Sequence, residues 1–300
     1  MAHVRRWRLL IGNLLTLSIA VAVVGLLFLL AARNYLAASA GSGLSGSALQ
    51  GWTIGQGVQP FGQVIAGFDL AAQAGVTPAV LVLLAGLNSA FLVLLATGVA
   101  LAAGVPVGFW LAIHAPRRLV TLLRSAANVG VAFPAFFVAF LLQVAAVEAT
   151  GRLGHAVVPV YGFGLDGHLV IPVIALALAP FAYVVRLVAL TATELNVRDF
   201  VRTARAKGLS ERVVVYRHIA PNMVGAIGEA GLGALRFVLG GLVIVEYLLV
   251  WPGLGVLALR AANVQDLPIF VASAAILVAL FYLTDLGLDL VTNRRGLIVG

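Results

Sequence analysis

Few side chains in this sequence could do covalent chemistry. Ser45, in Gly43-Leu44-Ser45-Gly46, has the Gly-x-Ser-Gly setting of a membrane-embedded nucleophile, but that chemistry needs the serine at a buried helix start facing a His on another span. Ser45 lies instead in a Gly/Ser-rich stretch, residues 39–57, that reads as a flexible external loop. His3, His114, His155, His168 and His218 all fall in loops or at the ends of apolar runs, so no nucleophile–base pair remains. The absence of Cys excludes disulfides, thiolate chemistry and Cys-ligated zinc or iron–sulfur sites. No His/Asp/Glu group has metal-ligand spacing. Nor is there a G-x-x-x-x-G-K-[ST] phosphate loop, so the chain alone cannot hydrolyse ATP, and energy from ATP would have to enter through a contact surface. The expectation is a chain that is not an enzyme and binds no cofactor.

Charges inside apolar runs are the next candidates. Glu229 and Arg236 stand seven residues apart, near one face of a helix. Charges within a bilayer usually face a bundle interior or an aqueous path. Two readings are therefore open: a pore or gate role, or pairing with each other or a neighbouring chain as structural glue. Asp285 and Asp289, four residues apart, suit either a cation relay or a structural ion pair or cap, with Arg294 in reach of Asp289. Arg186, near the end of its run, is expected to snorkel to the interface.

The most polar segment is residues 194–222, ELNVRDFVRTARAKGLSERVVVYRHIAPN. Small Ala204, Ala206 and Gly208, followed by apolar Val213, Val214, Val215 and Tyr216, predict a helix, a turn at Gly208 and a second helix ending before Pro221. Small residues let a partner helix approach closely, and flanking Arg and Lys can pair with acidic groups on its rim.

The elements that must hold these residues follow from composition. Hydrophobic residues make up 62% of the 300 and charged residues 10%, whereas soluble domains carry about 45–50% and about 25%. Apolar runs at about 9–32, 78–103, 126–149, 169–190, 223–250 and 268–290 are each long enough to cross a hydrocarbon core of about 30 Å. The first follows Arg5, Arg6 and Arg8 and is too long for a cleaved signal, so it reads as an anchored helix. Fourteen Lys or Arg residues fall in the terminal segments and the loops on one side, including Arg117, Arg118, Arg124 and six residues of 198–217. Only Arg33, Arg152 and Arg260 fall in the loops on the other side. That bias puts both termini in the cytoplasm of a multi-pass protein and explains the net charge of +8 without nucleic acid.

RTARAKG at 202–208, with Pro221 thirteen residues after Gly208, resembles the EAA loop of binding-protein-dependent ABC permeases. The phrase from Asp199 to His218, HLVIP at 168–172, VEYLLVWPGLG at 245–255 and QDLP at 265–268 are similar to the B-type permease of dipeptide, oligopeptide and nickel importers of bacteria. Arg202 occupies the position of the loop's name-giving Glu, and residues 1–77 depart from that pattern. The resemblance implies an all-α, six-helix, type I ABC importer permease in the inner (plasma) membrane. Residues 1–77 would form an N-terminal helix and external loop, 78–292 a five-helix core, and 293–300 a cytoplasmic tail. It implies that Thr203, Ala204, Arg205, Lys207, Gly208, His218 and Pro221 couple to a cytosolic ABC ATPase that uses ATP and Mg. It also implies that Glu246, Trp251, Pro252, Gly253 and Gly255 form an external motif near an extracytoplasmic substrate-binding protein, and that a homologous C-type permease supplies the other half of the path. The rival reading is an ion-coupled secondary carrier using Glu229, Asp285 and Asp289; such carriers usually have repeated halves, and none is visible.

Overall fold

A computed structural model of the chain describes residues 75–115, 130, 133–264 and 266–296. The expected first span, 9–32, and the loop after it up to residue 74 lie outside the described residues. Every regular element among the described residues is helical. In chain order these are α1 (Pro78–His114), α2 (Ala135–Leu153), α3 (Val170–Asn196), α4 (Asp199–Ala206), α5 (Glu211–Val214), α6 (Val224–Leu249), α7 (Leu254–Val264) and α8 (Leu267–Gly296). Five helical runs are long and apolar enough to cross a membrane: α1, α2, α3, the run through α5 and α6, and α8. They match the expected second to sixth runs, and the exposed Leu83, Leu87, Leu94, Phe140 and Leu283 suit a lipid environment.

The helix ends follow local chemistry. Thr77 precedes Pro78, and its hydroxyl accepts from the Val80 amide at 3.4 Å, an N-cap with proline in the first turn. α2 stops at Gly154, which adopts φ +73°. Trp251 N–H donates to Glu246 O at 2.8 Å and Val250 N–H to Tyr247 O at 3.3 Å, closing α6 with the paired bonds of a Schellman motif. The left-handed residue of that motif is Val250, φ +57°, where a β-branched side chain costs about 1–2 kcal/mol.

The described chain forms two compact units. One joins the residues up to Ser89 with Pro252–Tyr282. Its core packs Val82 and Ala85 of α1 against Leu254, Leu257 and Ala261 of α7 and Ile269 of α8. The sequence reading takes 251–267 as a loop, whereas the structure folds Leu254–Val264 into a helix. Its eleven residues rise only about 16 Å, too little to span. Gly253 offers α7 no capping side chain, and a distant one substitutes. Ser89 Oγ accepts from Leu254 N–H at 2.7 Å, and Asn88 Nδ2 donates to Pro252 O at 2.9 Å. Asp266 caps α8, its Oδ1 accepting from Ile269 N–H at 3.3 Å with Pro268 in the first turn.

The second unit joins Ala90–Trp251 with the chain from Leu283 onward. α3 is its central helix and packs against α2 and α6. Val184, Val188 and Ala192 are fully buried, with Leu101, Val105 and Phe109 of α1 against the same cluster. Close approach of α1 rests on Gly104 and Gly108. A Cβ at Gly108 would lie 2.7 Å from Val185 O, and one at Gly104 2.8 Å from Val184 Cγ1, the small-xxx-small geometry by which membrane helices bring backbones together.

Candidate functional site

α4 and α5 form a short hairpin closed at Gly208. Leu209 N–H donates to Ala204 O and Gly208 N–H to Arg205 O, and Gly208 takes φ +78° with nothing within 4 Å of a built Cβ. Glycine is thus required here for its backbone conformation and not for space. The hairpin is held by apolar side chains: Val201, Ala204, Val214, Val215 and Ile219 enter one core with Val184, Val188 and Ala192 of α3. Burying three of these aliphatic side chains alone contributes about 5–8 kcal/mol.

Burial divides the expected coupling residues. Ala204 faces the core, while Thr203, Ala206, Lys207 and Gly208 are exposed. The small residues available to a partner are therefore Thr203, Ala206 and Gly208, and the close-approach argument does not extend to Ala204. The apolar run 213–216 also divides: Val214 and Val215 turn inward, while Val213 and Tyr216 turn outward, Tyr216 being 76% exposed. Phe200, Leu209, Val213 and Tyr216 are exposed apolar residues on a segment that carries Arg202, Lys207, Arg212 and Arg217 on its surface. Apolar anchors amid polar neighbours are the composition of a docking surface. Phe200 and Tyr216 were not singled out from sequence as contact residues, because the apolar pattern does not tell which side faces out.

Arg205 ties the hairpin together. Its Nε donates to Glu211 Oε1 at 2.7 Å and Nη2 to Glu211 Oε2 at 3.1 Å, across the Gly208 turn. The same guanidinium donates to Asn196 at the end of α3, Nη2 to Oδ1 at 2.7 Å and Nη1 to the backbone carbonyl at 3.2 Å. The fork geometry of guanidinium permits both contacts at once, which an ammonium could not match. The paired carboxylate raises the Arg205 pKa, and the guanidinium holds the Glu211 carboxyl below its usual range. Arg202 stands 3.8 Å from Asp199 on the exposed side of α4.

The second helix does not end before Pro221. The helical path runs from Glu211 to Leu249, passing through a π-helical segment, Val215–Ile219, and a 3-10 turn, Ala220–Met223. Proline has no N–H and its ring crowds the carbonyl four residues back. The wider π turn absorbs that conflict: Ala220 N–H donates to Val215 O, five residues back, and Asn222 Nδ2 donates to His218 O at 2.7 Å. His218 is half-buried and Pro221 exposed.

At the opposite end of α6, Glu246 and Trp251 are fully buried; of the residues that follow, Gly253 and Gly255 are buried and Pro252 is exposed. Trp251 meets Phe163 edge-on with centroids 4.8 Å apart, and Gly162 N–H donates to Leu249 O at 3.0 Å. Leu249 and Trp251 thus pin the loop between α2 and α3 to the end of α6. In that loop the His168 ring lies 2.5 Å from Asp166 Oδ1, which lowers the Asp166 pKa.

Of the charges within the spans, Arg236 pairs with Asp285 of α8, its Nε 3.3 Å from Oδ1. The sequence reading offers Glu229 of the same helix or a neighbouring chain as a partner; Asp285, within ion-pair distance, is on another helix of this chain. Glu229 is partly buried on α6. No group of three or more potential metal ligands occurs among the described residues.

Residues 104–296 match the family described as binding-protein-dependent transport system inner membrane component. The glutathione transport system permease proteins GsiC of Shigella flexneri serotype 5b (strain 8401) and Escherichia coli (strain K12) are each 33% identical over 191 residues, covering 63% of this chain and 59% of theirs. The chain therefore spans less than two thirds of the length of these relatives. Among solved structures, one of the MetNI methionine ABC transporter in inward-facing form is similar with a TM-score of 0.56 and 15% identity, covering 71% of this chain and 95% of that one. At that identity the likeness speaks for the fold alone. With five apolar spans among its described residues and a family match over most of its length, the chain is a multi-pass inner membrane protein and belongs to the binding-protein-dependent transport system inner membrane component family.

Proposed function

We propose that this chain is a permease subunit of an ATP-driven importer for peptides or a related small solute, forming one half of the translocation path. The observation that carries the reading is the α4–α5 hairpin, whose exposed Phe200, Leu209, Val213 and Tyr216 stand beside Arg202, Lys207 and Arg212 while its inner face is fixed to α3. A cytosolic ATPase with an acidic-rimmed apolar cleft would seat on this surface, and its closure on ATP and Mg would push the hairpin as a rigid body. The chain itself would bind no cofactor. A homologous C-type permease would complete the path, and an extracytoplasmic binding protein would deliver the solute at the end marked by Pro252. Both termini would be cytoplasmic, on the side of the basic segments. The GsiC likeness supports a peptide-type solute.

The test is purification of the tagged chain from its native membrane in mild detergent, with identification of co-purifying proteins and assay of ATP hydrolysis. Recovery of a second permease and a Walker-motif ATPase is expected. Recovery of this chain alone in a transport-competent state would overturn the reading.

A further inference from the structure

The loop between α2 and α3, residues 154–166, has no regular structure but is tightly framed. It winds around the Asp166–His168 pair. A Cβ at Gly164 would lie 2.6 Å from Asp166 Oδ1 and 2.8 Å from His168 Nδ1, and one at Gly167 2.9 Å from Pro159 Cδ, so backbone packs where side chains could not. Asp166 Oδ1 also accepts from His168 N–H at 3.1 Å. Burial alternates along this frame. Gly162 and Gly164 are half-buried, while Tyr161, Phe163 and Leu165 are exposed, Tyr161 by 63% and Leu165 by 75%.

Hydrocarbon does not account for these outward side chains. An irregular backbone carries N–H and C=O groups that lipid tails cannot satisfy, and the Asp166 carboxylate, 68% exposed, stands next to Leu165. The loop therefore lies beyond the hydrocarbon, where clustered apolar side chains mark a protein contact. α3 is long enough to cross the membrane and joins this loop to the α4–α5 hairpin, so loop and hairpin face opposite sides.

Building on the importer reading above, we propose that Tyr161, Phe163 and Leu165 form a docking pad for the extracytoplasmic binding protein, and that the pad passes the docking event to the end of α6. The family to which the chain belongs transports in dependence on a binding protein, and under the importer reading the loop faces the side from which that protein arrives. The partner surface is an apolar recess that takes the Tyr161 and Leu165 side chains. Because the frame holds the pad in one shape, little ordering cost accompanies each docking, which suits a partner that must arrive and leave in every cycle. Gly162 N–H on Leu249 O and the Phe163 ring on Trp251 make the pad continuous with the end of α6.

The test uses the intact importer, purified from its native membrane with its partner subunits and reconstituted in nanodiscs, with the extracytoplasmic protein of the same cells that stimulates its ATP hydrolysis. Tyr161→benzoylphenylalanine and Leu165→benzoylphenylalanine are expected to photocrosslink to that protein. Crosslinking only to the second permease, or only to lipid, overturns the assignment. In a titration of ATP hydrolysis, the double variant Tyr161→Ala/Leu165→Ala should raise the half-saturating concentration of the binding protein about tenfold or more, with the basal and saturated rates unchanged. Val147→Ala, an exposed position on α2, should leave the titration as in the wild type. Phe163→Ala removes the contact with Trp251 and should lower the saturated rate as well; an unchanged saturated rate overturns the link to α6. A stimulated complex whose half-saturating concentration is the same in wild type and double variant overturns the docking pad and leaves the importer reading intact. A wild-type complex that no extracytoplasmic protein stimulates overturns the importer reading and the pad with it.

Discussion

Replacing Arg205 with Ala separates two ways in which the α4–α5 hairpin is held. The apolar side chains Val201, Val214 and Ile219 supply about 5–8 kcal/mol of burial. The polar clamp is weaker. The Arg205–Glu211 pair is largely exposed, with side chains 36% and 62% accessible, so solvent screening limits it to about 0.5–1 kcal/mol. The bonds to Asn196 Oδ1 and O add about 1–1.5 kcal/mol after the same allowance. Their loss, about 2 kcal/mol in all, leaves the hairpin docked but raises its opening equilibrium roughly 30-fold. Hydrogen exchange reads this directly. Amides of Lys207, Leu209 and Val214, bonded within the hairpin to Thr203, Ala204 and Ser210, should exchange about 30-fold faster in Arg205→Ala. Amides in the middle of α3 should be unaffected. In a double-mutant cycle, Arg205→Ala and Glu211→Gln should be non-additive by about 0.5–1 kcal/mol. Under the proposed importer function, ATP hydrolysis by the assembled complex should persist while solute moved per ATP falls. Unchanged protection at Lys207–Val214, or strict additivity with Glu211→Gln, would refute the clamp.

The same geometry fixes four further outcomes. Gly208→Ala is expected to weaken the hairpin by about 1 kcal/mol, because the cost of φ +78° is conformational and no clash occurs; a loss in thermal unfolding much above that would mean a hidden contact. Val250→Gly should raise stability by about 1 kcal/mol by relieving a β-branched residue at φ +57°, read as a higher melting temperature in detergent. Ser89→Ala removes the acceptor of the Leu254 amide and should lower thermal stability by about 1–2 kcal/mol, with faster exchange confined to the first turn of Leu254–Val264. The Glu211 carboxyl is held below its ordinary value by Arg205, so the pair is complete above the ordinary glutamate pKa and is lost as pH falls through the depressed one. The raised Arg205 value places its own loss at strongly alkaline pH. Hairpin exchange, corrected for intrinsic rate, should therefore be flat from about pH 6 to 9, and Glu211→Gln should reproduce the acid limit.

The five described spans were legible because their apolar runs exceed the length of a bilayer crossing, and the hairpin because Gly208 and the polarity of 194–222 mark a turn outside it. The helix Leu254–Val264 was not, because eleven residues carrying Arg260 and Asn263 have neither the length of a span nor a local cap. Its cap comes from Ser89, 165 positions away. The approach of Asp285 to Arg236 was not legible for a similar reason. Periodicity reports neighbours on one helix, and Asp285 is brought to it by tertiary packing. Pro221 misled because its usual effect is to end a helix, whereas here Asn222 and the π turn of Val215–Ile219 meet the displaced carbonyls.

That continuity gives the chain a lever. From Glu211 to Leu249 the chain is one helical rod of 39 residues, about 58 Å long at 1.5 Å per residue. The α4–α5 hairpin lies at one end, Arg236 partway along, and Trp251 follows the far end. A tilt of only about 5° pivoted at one end displaces the other by about 5 Å, roughly one turn of a neighbouring helix. The π-helical Val215–Ile219 segment is where that rod is wound most loosely, so under the proposed function its stiffness would set how much of a push at the hairpin arrives at mid-membrane.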